Sequence, residues 1–220
     1  MKNKTLLGIL LFGSIWGMLE ATLGALLHLI MPLSPYTGAI MLSFGVFIMS
    51  AGLRTYKPES TMTFVSGIGL TASMLKGFDI FLLGPMPEVI NPIFAIVIEA
   101  LSFGVVVTLL QKHYHKNSFT IPLTGIASAY ASHLGFPLVF AYLLKTENWL
   151  SKGIGGILAF TLKSGTYAAI LCAVTAPLGY QLGESLHPRA RLLLERRPTL
   201  SYALAGMIII GCWFVGIAYA

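Results

Sequence analysis

The stretch TLLGILLFGSIWGMLEATLGALLHLIM, residues 5–31, decides the class of fold. Its apolar run exceeds the roughly 20 residues that a helix needs to cross a bilayer core. Glu20 nevertheless stands at its centre. Lys2 and Lys4 precede the run as they would in a signal peptide. The run is too long for one, however, and no convincing small-residue cleavage site follows, so it is expected to stay as a first span. Inside hydrocarbon the backbone must satisfy its own hydrogen bonds, which leaves only helices or a closed barrel. The run is longer than a barrel strand and lacks alternation, so it reads as a helix.

Six further apolar segments follow, near 36–54, 61–84, 90–111, 119–144, 152–183 and 200–219. Prolines and glycines mark the breaks, at Pro32 to Pro35, Lys57-Pro58, Gly84-Pro85-Met86-Pro87 and His187-Pro188. The sixth segment exceeds the need of a bilayer, so it either tilts or runs on past Pro177. Composition agrees with seven spans: 56 % of the chain is hydrophobic and 10 % charged, against about 25 % charged in a soluble domain. The expected class is an all-α integral membrane protein.

The net charge of +6 is not a nucleic-acid footprint, because its basic residues lie in short loops between the spans. Ten fall on one side: Lys2, Lys4, Arg54, Lys57, Lys112, Lys116, Arg189, Arg191, Arg196 and Arg197. Two, Lys145 and Lys152, fall on the other, and Lys76 and Lys163 lie within spans, completing the 14. This bias places the N-terminus in the cytoplasm of a cell membrane and, after seven spans, the C-terminus outside. Cys172 and Cys212 sit in apolar segments without partner spacing and read as small core residues. No cofactor or metal motif is present.

Function has to be sought in ionisable groups within the spans, which are costly there. Span direction places seven of them between the bilayer middle and its outer edge: Glu20, His28, Lys76, Asp79, Glu99, His133 and Lys163. The expectation is a polar cavity that opens outward and binds a small solute. Mixed charge suits a zwitterion, and Lys76 and Lys163 would repel a bare cation. Trp16, Glu20, Gly24 and His28 recur every fourth residue and share a helix face. Trp16 is expected as the floor of the site, with Trp16 or Tyr167 covering an apolar part of the solute. Glu20 is the expected acceptor for a solute donor. A second stripe, Gly13, Gly17, Ala21 and Ala25, is spaced for close approach of another helix.

Gly13-x-x-x-Gly17-x-x-x-Ala21 and the segment Gly67-Ile-Gly-Leu-Thr-Ala-Ser-Met-Leu-Lys76 resemble segments of the substrate-binding S components of energy-coupling factor (ECF) transporters. The resemblance covers about residues 1–185. It implies a six-helix bundle that captures a vitamin or related micronutrient near the outer face. It also implies a transmembrane coupling subunit with ATPases, docked through Gly13, Gly17 and Ala21. A basic cytoplasmic loop is expected at 186–199, and the chain departs from that pattern with an additional transmembrane helix at 200–220. The alternative is a proton- or ion-coupled carrier with a relay through Glu20, Glu99, His133 and Lys163. An intramembrane enzyme comes third, since no hydrolase or metalloprotease motif is present.

Overall fold

In the computed structural model, residues 2–30, 33, 36–114 and 119–219 are described, without the side chains of Lys2, His28 and Glu88. Every regular element among them is helical. The first rod is α1 (Lys2–Leu19), a π-helical turn (Glu20–Gly24) and α2 (Ala25–Leu29). Then come α3 (Thr37–Tyr56), α4 (Thr61–Gly77), α5 (Asp79–Leu83), α6 (Pro87–Leu109) and α7 (Gln111–Tyr114). The second half holds α8 (Thr120–Leu138), a π-helical turn (Val139–Leu143), α9 (Glu147–Leu150), α10 (Gly153–Arg196) and α11 (Pro198–Ala218).

Seven helical stretches among the described residues are long and apolar enough to cross a membrane. Their outward faces are apolar as well: Leu29, Phe81, Leu109, Phe119, Leu143 and Phe214 are all largely exposed. Such a surface is compatible with a bundle whose solvent is lipid, where apolar burial between helices gives no driving force and close packing must hold them. The helix α3 is the enclosed element, with 72 % of its most apolar window buried, against 17 % for α11.

Close packing depends on small residues. Along α10, Gly179 and Gly183 face α3, and a Cβ there would lie 2.2 Å from the Phe47 carbonyl oxygen and 2.4 Å from that of Ala51. One turn apart on one face, the two glycines let the helices touch backbone to backbone. An aromatic group of Phe136, Phe140, Trp149 and Phe160 joins α8, α9 and α10 at the other end. There Pro137 lacks the N–H that would continue the ladder, and the widened turn Val139–Leu143 follows it.

The basic stretch expected as a loop at 186–199 is a correction: α10 continues without a break through Arg196. Only Arg197 leaves the helix before Pro198 opens α11. Leucines 192 to 194 and the pair Arg191–Glu195, with Nε to Oε1 at 2.9 Å, favour helix here. Pro188 is bridged by His187, whose Nδ1 lies 2.6 Å from the Thr55 carbonyl oxygen. At about 1.5 Å per residue, these 44 residues are about twice as long as a bilayer core is thick. Arg54 at the end of α3 is ion-paired to Glu184 and stands 4.9 Å above the Tyr180 ring. Cys172 and Cys212 are buried and unbonded, as their apolar settings implied.

Gly179→Val is expected to destabilise the protein by about 1–3 kcal/mol, the usual cost of overpacking. Gly206→Ala in α11, where a Cβ meets nothing within 4 Å, is expected to be neutral or slightly stabilising. Melting temperatures of the two variants in detergent check this, and a neutral Gly179→Val would show that α3 and α10 do not pack as described.

Candidate functional site

Trp16 is wholly buried, its ring edge lying against Gly45 of α3. From one turn below, its Nε1–H donates to Oε1 of Glu20 at 3.1 Å. Glu20 opens the π-helical turn Glu20–Gly24. A π-turn inserts an extra residue into the ladder and re-aims the side chains around it, and it recurs at functional sites. No proline accompanies this one, unlike the turn after Pro137.

Lys76 and Asp79 flank the break between α4 and α5. Three residues apart, they form a buried ion pair between Nζ and Oδ2, with side-chain exposures of 12 % and 2 %. The other Asp79 oxygen, Oδ1, is buried and has no hydrogen-bond partner among the described residues. Lys76 is also within electrostatic reach of Glu20.

Glu99 stands near the middle of α6 and is 6 % exposed. Its Oε2 is buried and without a hydrogen-bond partner among the described residues. Glu20, another acid, and the Cys172 thiol on α10 are within electrostatic reach of it. The core therefore holds three buried acids, Glu20, Asp79 and Glu99, of which Asp79 is paired with Lys76.

Other expected site residues fall elsewhere. His133 is buried in the seam between α8 and α10, with Nδ1 3.0 Å from the Ala129 carbonyl oxygen and its ring stacked on Phe160 at 5.7 Å. It has the partners of a core histidine. Lys163 and Tyr167 are exposed on the outer side of α10, where Tyr167 meets Tyr36 edge to face at 5.0 Å. They belong to the bundle surface, a correction to their expected place beside Glu20. Trp16 is likewise a buried support for Glu20 rather than an open floor. His28 lies in α2, but its side chain is outside the described residues. The acids are enclosed, at 7 %, 2 % and 6 % exposure for Glu20, Asp79 and Glu99, instead of lining an open vestibule. A cavity of about 300 Å³ lies at another place, lined by residues such as Arg54, Lys57, Gln111 and Tyr114.

The small-residue stripe also needs correction. A Cβ on Gly13 would lie 2.5 Å from Thr71 Cβ, and one on Gly17 would lie 2.9 Å from the Ala72 carbonyl oxygen. Ala21 is fully buried. The stripe seats α4 within the chain, so Gly13, Gly17 and Ala21 offer no free docking face. The adjoining side of the same rod is covered by α11, where Trp213 Nε1 donates to Ser14 Oγ at 2.9 Å. Sequence spacing carried no signal for that bond.

No protein-family model, curated protein or solved structure matches this chain. Among the described residues no three His, Cys, Asp or Glu side chains are grouped to hold a metal ion.

The charge imbalance has an energetic consequence. Removing one partner of a buried ion pair costs about 3–5 kcal/mol, so Lys76→Met is expected to destabilise strongly. Glu99→Gln removes a charge that has no partner and is expected to leave stability unchanged or raised. Denaturation in mild detergent checks both, and a strong loss in Glu99→Gln would mean that Glu99 is structurally paired.

Proposed function

We propose that this chain is a multi-pass protein of the cell membrane that captures a small micronutrient-like solute for uptake, in the manner of an S component. In this reading seven spans cross the bilayer, with the N-terminus in the cytoplasm and the C-terminus outside. The ten-to-two distribution of basic residues supports that orientation. One observation carries the functional reading: three acids, Glu20, Asp79 and Glu99, are buried within the bundle, and Oδ1 of Asp79 and Oε2 of Glu99 have no hydrogen-bond partner among the described residues. Buried polar atoms are nearly always satisfied, and ionisable groups at membrane depth mark substrate or ion pathways. Open acceptors in a shielded core are places for a ligand's donors.

Glu20 is the principal acceptor in this proposal, held in place by Trp16. Lys76 orients Asp79 and balances part of the negative charge. A coupling subunit with ATPases remains part of the reading, but it would dock on a face other than Gly13, Gly17 and Ala21, which α4 already occupies. The four-residue relay of an ion-coupled carrier has less support, since Lys163 is exposed on α10 and Nδ1 of His133 is engaged by the Ala129 carbonyl.

The test is to release small molecules from protein gently extracted from its own membrane and to compare wild type with Glu20→Gln. A solute near one per chain in the wild type, reduced about tenfold in a variant of unchanged melting temperature, is the expected result. The factor corresponds to loss of one hydrogen bond to a charged group, about 1.5–3 kcal/mol. Equal occupancy in the two proteins would remove Glu20 from the site.

A further inference from the structure

The cavity of about 300 Å³ lies where α3 ends, α4 begins and α7 follows α6. Arg54 on the last turn of α3, Lys57 on the connection, Thr61 at the start of α4 and Gln111 on α7 line it, with Leu53 and Val107 as apolar wall. Two of these residues are cationic, and none of its lining residues among the described ones is acidic. The neighbouring acids, Glu59 and Glu184, are exposed and stand outside the lining. Glu184 is the ion partner of Arg54, whose guanidinium also stands 4.9 Å above the Tyr180 ring. That planar group is therefore oriented before any ligand arrives. Glu184 is within electrostatic reach of Lys57 as well, so one exposed acid answers two cations. Thr61 is the first residue of α4, and the first amides of a helix lack partners within it and carry its positive end. Ser60 Oγ accepts from one of them, the Thr63 N–H, at 3.2 Å. Lys57 adopts φ 45° and ψ 61°, the left-handed conformation in which glycine is the usual residue after a helix. A lysine there bears the conformational cost of the position and puts a cationic residue at the cavity wall.

We propose that this cavity binds a phosphate group, carried by a lipid headgroup or by free phosphate. The site is independent of the capture reading, since none of Glu20, Asp79 and Glu99 lines it. Phosphate oxygens accept hydrogen bonds on several sides at once, and guanidinium, ammonium and helix-terminal N–H groups are the donors that match them. A volume of about 300 Å³ is at the small end for ligand pockets, which suits a headgroup or inorganic phosphate better than a nucleotide. Two basic residues without an acid in the lining would repel a cation. In the orientation proposed above this end faces the cytoplasm, where anionic headgroups are drawn to basic residues beside the membrane. An occupant would link α3, α4 and α7 at the end where Arg54 already ties α3 to α10.

The test uses the full chain, delipidated in a maltoside detergent that holds no phosphate, and reads its melting temperature. One arm adds sodium phosphate, against sodium chloride at matched ionic strength. The other adds phosphatidylglycerol, against diacylglycerol, which has the same tails and no phosphate. A saturable rise above the control is expected in at least one arm. The first alone assigns free phosphate, the second alone a lipid headgroup, and both together a phosphate from either source. Lys57→Gly removes the charge with a residue that suits φ 45°. It is expected to fold at least as well as wild type and to need about tenfold more phosphate or phosphatidylglycerol for the same rise. Lys57→Arg keeps the charge and should keep the response. Arg196→Gln, which removes an exposed cation outside the cavity, should respond like wild type. No rise in either arm, an unchanged response in Lys57→Gly, or an equal loss in Arg196→Gln would overturn the assignment.

Discussion

A carboxylate enclosed in an apolar helical bundle needs a positive charge or a set of donors, and the interior of this protein supplies too few. Lys76 satisfies one oxygen of Asp79, and Trp16 satisfies one of Glu20. Oδ1 of Asp79 and Oε2 of Glu99 are buried and have no hydrogen-bond partner among the described residues. The features around the cluster serve this constraint. The π-turn holds Glu20 buried, the α4–α5 break brings Asp79 onto Lys76, and α6 holds Glu99 buried near its middle.

Holding those groups in register requires helices that touch closely. Glycines at the contact faces meet that need. Gly13 and Gly17 draw the rod bearing Glu20 against α4, which bears Lys76, and Gly179 and Gly183 draw α10 against α3. The stripe with the spacing of a docking motif thus acts inside the molecule, placing Glu20 and Lys76 within reach of each other. The last helix, α11, lies over the same rod and bonds it through Trp213 and Ser14. It is the most exposed of the long helices.

Helical class, the apolar segments and most of their ends were legible from the sequence, because apolar length and turn residues report directly on backbone state. Pairing of Lys76 with Asp79 was legible from their spacing of three on one apolar run. The sequence could not reveal rotation about a helix axis. Lys163 lies in an apolar run like Lys76, yet it turns outward on α10. His133 looked equally available and is satisfied by Ala129 and Phe160. Spacing on one helix also cannot say which neighbour a small-residue stripe will seat. Nor did the turn-like His187-Pro188 break α10, where a tertiary bond to Thr55 bridges the proline.

A density map of the protein, extracted with its native lipids and without added ligand, tests most directly whether these acids form a binding site. Density for a small molecule touching Glu20 is the expected result. Glu20, Asp79 and Glu99 bonded only to protein groups would contradict it.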